Sequence, residues 1–136
     1  MKYIRLEEGI FQVGEKIIVE PNNNPNVSSF PNESGYYITR KNKFDGIDFR
    51  YAGESEVIKE ADSIEELCDV FVTVFDTTNS FYKDIYPITY RTLDKAIKDL
   101  SKWDKAYNAQ VMGAIWNNKG LIFVAKLNED NVLELI

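Results

Sequence analysis

The sequence predicts an α+β fold: an antiparallel β-sheet with one long amphipathic helix at about 92–107 and one short capped helix at about 64–69. Three observations carry this. Short runs rich in β-branched and aromatic residues are separated by Gly, Asn and Pro, the pattern of strands and turns. One stretch places apolar residues at helical spacing. The C-terminal segment holds three strand-like runs whose connections are short enough to make neighbours antiparallel, a three-stranded meander. With 136 residues, 44% apolar and 28% charged, the chain fits a single domain, 1–136, that buries a core without staples.

In order along the chain, Tyr3-Ile4-Arg5-Leu6, Ile10-Phe11-Gln12-Val13 and Lys16-Ile17-Ile18-Val19 read as a small β-meander, with Gly9 and Gly14 at its turns. Residues 21–35 hold three of the four prolines and five asparagines, which favour turns and extended backbone, so a long mobile surface loop is expected there. Strand signals resume at Tyr36-Tyr37-Ile38-Thr39 and Ile47-Asp48-Phe49-Arg50-Tyr51, around a turn, and again at Glu56-Val57-Ile58-Lys59. Ser63 and Glu66 form an S-x-x-E capping box, which predicts a helix starting at Ile64. Val70-Phe71-Val72-Thr73-Val74-Phe75 reads as a buried strand, and Pro87 rules out a helix through Tyr82, Tyr86 and Tyr90.

The long helix follows. Leu93, Ala96, Ile97, Leu100, Trp103 and Tyr107 line one side, while Asp94, Lys95, Lys98, Asp99 and Lys102 face water. Strands near 111–116, 120–127 and 131–136 then turn at Asn117-Asn118-Lys119-Gly120 and Asn128-Glu129-Asp130-Asn131. These last strands are apolar on both faces, and a homodimer through whichever face the helix leaves open is expected.

Composition excludes much chemistry. There is no histidine and one cysteine, Cys68, so intramolecular disulfides, zinc sites of the usual Cys and His ligands and histidine-based triads are absent. Cys68 has acidic Asp69 beside it and no histidine to lower its pKa, which favours a buried structural thiol over a nucleophile. None of the seven glycines sits in a dinucleotide-binding or Walker pattern, and no cofactor or metal is expected.

The run Lys119-Gly120-Leu121-Ile122-Phe123-Val124-Ala125-Lys126 partly matches the strand with which RNA-recognition domains stack bases. Leu121 and Lys126 stand where two of its three rings belong, so it reads as a central core strand instead. The net charge of −6 also weighs against nucleic acid, whose phosphates need Lys and Arg. Asp45, Asp48, Glu56 and Lys59 resemble a nuclease set, but the two residues between Glu56 and Lys59 turn them to opposite faces of a strand.

Eight acids (Glu54, Glu56, Glu60, Asp62, Glu65, Glu66, Asp69, Asp76) fall between positions 54 and 76 against one base, Lys59. This concentration suits a surface that docks on a basic protein partner. A second candidate is a small-ligand or nucleotide pocket lined by Tyr82, Tyr86 and Tyr90. An uninterrupted apolar segment is missing from the N-terminal residues, and no run is long enough to cross a bilayer, so a cytoplasmic location without membrane is expected.

Two segments, ADSIEELCDVFV at 61–72 and GAIWNNKGLIFVAKLNEDNVLELI at 113–136, resemble small uncharacterised proteins of phages, prophages and plasmids of Gram-positive bacteria. The resemblance implies no catalytic residues. It implies a context in which small acidic proteins bind host, rival or defence proteins. The function expected is therefore a non-enzymatic binding protein that inhibits or regulates a protein partner through the 54–76 acids, with the tyrosine pocket as the alternative and, less favoured, an RNA binder or an enzyme whose carboxylate and Lys chemistry needs no histidine.

Overall fold

The computed structural model describes residues 2–20, 31–41, 44–74, 87–107 and 109–136, with backbone alone at 41 and 104–107. Ten of the fifteen positions read as the mobile loop, 21–30, lie outside the described residues. The chain divides into two compact units, Met1–Ser63 and Ile64–Ile136.

In the first unit, β1 (Lys2–Leu6) and β2 (Gly9–Val13) form a hairpin, and β5 (Lys59–Ala61) takes the other edge of β1, giving the order β2-β1-β5. β3 (Gly35–Lys41) and β4 (Ile47–Gly53) form a second antiparallel pair, and a 3-10 turn covers Glu54–Glu56. The core joins both pairs: Ile4, Leu6, Val13, Tyr36, Ile38 and Ala52 pack together, with Phe11 and Val57 against them. The N-terminal meander is shorter than expected. Its third run contributes an isolated bridge, Ile17 to Gly35, with backbone bonds of 2.8 and 3.0 Å. Ile17 and Ile18 are both exposed, so this run has no core face to hold it in a ladder.

The second unit contains β6 (Val70–Val74), β7 (Ile88–Tyr90), α1 (Leu93–Tyr107), β8 (Gln110–Asn117), β9 (Gly120–Leu127) and β10 (Leu133–Leu135). Its sheet runs β10-β9-β8-β6-β7, every pair antiparallel. The C-terminal meander of the sequence reading is present as β8-β9-β10. The Asn117 side chain accepts from the Lys119 N–H at 2.7 Å in the first turn. In the second, the Asn128 side chain accepts from the N–H groups of Asp130 and Val132, both at 2.9 Å. Side-chain amides thus take the place of ladder partners where the chain reverses. Between Gly113 and Ala114 the register slips, so Val124 of β9 bulges out of the pairing and its carbonyl accepts from the Ile136 N–H at 3.1 Å.

The short capped helix is replaced by a single turn. The Ile64 carbonyl accepts from the N–H groups of Leu67 and Cys68, at 3.0 and 3.2 Å, and the next N–H, that of Asp69, instead donates to Ala114 of β8 at 3.0 Å. Pairing with the sheet wins within one turn of the capping box, because one i to i+4 bond is too little to propagate a helix. α1 is the α-helix found among the described residues; it lies against β6, β7 and β8. Ala96 is fully buried, Leu93, Ile97 and Leu100 are half-buried, and Trp103 is exposed. Consecutive residues Ala114-Ile115 and Val124-Ala125 are all buried, so both faces of the meander are occupied at its centre. No helix among the described residues is long and apolar enough to cross a membrane.

Candidate functional site

The β3-β4 pair carries an unusual division of residues between its faces. Register places Tyr36 opposite Ala52, Ile38 opposite Arg50 and Arg40 opposite Asp48 on one face, and Tyr37 opposite Tyr51 and Thr39 opposite Phe49 on the other. The first face turns into the core: Tyr36, Ile38 and Ala52 are at most 1% exposed. Its two arginines form ion pairs within the unit, although Arg50 Nη1 is buried without a hydrogen-bond partner among the described residues. Arg40 Nη1 lies 2.9 Å and Arg50 Nη2 3.3 Å from the two oxygens of Glu8, and Arg50 also bridges to Glu56. The Glu56 carboxylate accepts in turn from the Gly53 N–H at 3.1 Å.

The second face looks outward and carries Tyr37, Ile47, Phe49 and Tyr51, with Thr39 and Lys41 at its two polar register positions. Tyr37 is 52% exposed, Ile47 61% and Phe49 74%, and Phe44 at the tip reaches 82%. Tyr37 and Tyr51 meet edge to face with ring centroids 5.0 Å apart, a cross-strand aromatic pair that stiffens the surface. Tyr51 is anchored further, its hydroxyl donating to the Glu33 carbonyl at 2.5 Å. Glu33 itself is held by Ser55, whose hydroxyl donates to it at 2.8 Å, and it lies over Gly53, where a Cβ would overlap its carboxylate.

Beside the inner face, Tyr36 donates to Glu60 Oε1 at 2.6 Å, and Lys2 Nζ lies 3.0 Å from Glu60 Oε2 and 5.8 Å from the Tyr36 ring centre. The Tyr36 and Lys2 hydrogen bonds hold the Glu60 carboxyl below its usual range. Burial, with Glu60 adding to it, pushes the Tyr36 phenol up, and Glu60 raises Lys2. Each group is thereby fixed in the ionisation state it already has at neutral pH, the reverse of a poised acid–base catalyst. An open groove of about 240 Å³ is lined by Lys16, Glu54, Val57, Ile58, Lys59 and Glu60. The Lys16–Glu54 ion pair is part of its wall, and it is smaller than ordinary ligand pockets.

The acids singled out from the sequence are divided between the units. Glu54, Glu56, Glu60 and Asp62 belong to the first, Glu65, Glu66 and Asp69 to the second, and these seven are exposed, while Asp76 lies outside the described residues. Several serve the chain itself: Glu54 pairs with Lys16, Glu56 with Arg50, Glu60 with Lys2 and Tyr36, and Asp69 accepts from the Trp116 N–H at 3.4 Å. Of the tyrosine set, Tyr82 and Tyr86 lie outside the described residues. Tyr90 is half-buried on β7 and its hydroxyl donates to Asp99 of α1. Burial, reinforced by Asp99, pushes the Tyr90 phenol up to about 12. Cys68 is half-buried, and no group of three or more His, Cys, Asp or Glu among the described residues could hold a metal ion.

Comparison with protein-family models, curated proteins and solved structures finds no match. The hairpin face therefore stands on its own chemistry. Sequence reasoning passed over it, because charge does not mark the face: Arg40 and Lys41 are adjacent and fall on opposite sets, and Thr39 shares the outer set with Tyr37, Phe49 and Tyr51.

Proposed function

We propose that the chain is a non-enzymatic binding protein that inhibits or regulates a protein partner, and that its contact surface is the outer face of the β3-β4 hairpin. The exposure of Tyr37, Ile47 and Phe49 on one ordered face, with Phe44 at its tip, carries this reading. Large exposed aromatic groups on a rigid platform are the usual anchors of protein interfaces, since they bury much area at little entropic cost. The 54–76 acids support the same reading less directly, because several already neutralise bases of the chain. The resemblance to mobile-element proteins supplies a partner class, a host, rival or defence protein of a bacterium.

Recovery of partners from a bacterial lysate by three forms of the protein tests this. The intact chain and a Glu65→Lys, Glu66→Lys, Asp69→Lys form are expected to retain the same partner, whereas Tyr37→Ser with Phe49→Ser should lose it. Loss of one such anchor weakens binding by roughly tenfold or more, about 1.4 kcal/mol upward. Retention by the hairpin variant, with loss by the charge-reversed one, would return the site to the acidic run.

A further inference from the structure

We infer that β4 also pairs with β4 of a second copy across a two-fold axis at Phe49, joining two hairpins into one four-stranded sheet. Among the described residues β4 pairs with β3 alone, so its other edge offers backbone donors and acceptors without a ladder. Ile47 and Phe49 on that edge are exposed, and the strand carries no Pro, no Lys and no register slip, the devices that usually protect an edge.

Charge selects the register. Two antiparallel copies keep their faces aligned only if the axis passes through a residue, and axes at Asp48, Phe49 and Arg50 are the three that set the charged positions of the two copies opposite one another. An axis at Asp48 sets Asp48 against itself, and one at Arg50 sets Arg50 against itself; both oppose like charges. An axis at Phe49 sets Asp48 opposite Arg50 of the second copy, twice. It also stacks Phe49 beside Phe49 and Ile47 beside Tyr51, all on the outer face. Within its own copy Arg50 pairs with Glu8 and Glu56, which places its guanidinium on the inner face, where Asp48 of the second copy would lie opposite it. The two outer faces then merge into a single apolar surface. This inference does not depend on the protein-partner reading, because it uses the strand edge and that reading uses the face.

Sedimentation across a concentration series, together with cysteine capture, tests it. In a Cys68→Ala background, Phe49→Cys meets its own image at the axis and should yield a covalent dimer on mild oxidation. Ile47→Cys, displaced from its image by four residues or about 13 Å, should not. The unmodified chain should sediment increasingly as a dimer as concentration rises, and Asp48→Arg combined with Arg40→Asp, which keeps opposite charges within the hairpin but opposes arginines across the axis, should remain monomeric. A monomer at every concentration overturns the inference, as does a dimer indifferent to the paired Arg40→Asp, Asp48→Arg exchange. Capture at position 47 as efficient as at 49 overturns the register.

Discussion

Tyr36 shows how one side chain ties sequence-distant parts of the first unit together, since its ring fills the core while its hydroxyl reaches Glu60 across 24 positions. Tyr36→Phe keeps the ring and removes that bond, and is expected to cost about 1 kcal/mol in urea unfolding. It should also weaken the acid dependence of stability. Glu60 is held below its ordinary 4.5, so its contribution is present above that value and is lost as pH falls through the depressed folded value. Gly113 makes a different demand. A Cβ there would sit 2.5 Å from Cys68 Sγ, and Cys68 is fixed by its backbone bond to Ile64. Gly113→Ala should therefore destabilise by about 1–3 kcal/mol in thermal or urea unfolding, and Cys68→Ala should restore much of the loss.

At the level of elements, the C-terminal meander, the β3-β4 hairpin and the position of the helix were legible because each announces itself locally, through alternation, turn residues or a 3.6-residue repeat. Elements decided by distant partners were not. The strand expected at Glu56–Lys59 is displaced to β5, because residues 59–61 reach the free edge of β1, more than fifty positions away, while a 3-10 turn covers Glu54–Glu56, and β7 has three residues. The capping box at Ser63 and Glu66 was a correct local signal overruled by the bond from Asp69 to Ala114. The hairpin face was hidden for a related reason: each alternation of Tyr36-Tyr37-Ile38-Thr39 carries a tyrosine, so the local pattern does not say which faces the core, and the inner one can hold Arg40 and Arg50 because Glu8 and Glu56 pair with them. α1 begins beside Thr92, whose hydroxyl accepts from the Lys95 N–H at 3.4 Å. Thr92→Ala should remove this cap and lower stability by about 0.5–1 kcal/mol, with the loss visible as faster amide exchange in the first turn of the helix.

The whole molecule carries its pH-sensitive groups in different units. Glu60 acts on the acid side and lies in the first, whereas Tyr90, raised from 10.0 to about 12 beside Asp99, lies in the second. A raised phenol stabilises the fold fully below 10 and loses that contribution as pH climbs from 10 towards 12, so Tyr90→Phe should flatten the alkaline limb of a stability–pH curve. Lys2, raised by Glu60, acts in the same alkaline sense within the first unit. Both tryptophans, Trp103 and Trp116, belong to the second unit. Emission excited at the red edge of the absorption band therefore comes from that unit alone, and the hairpin is optically dark. Phe49→Trp would light the hairpin without a dye.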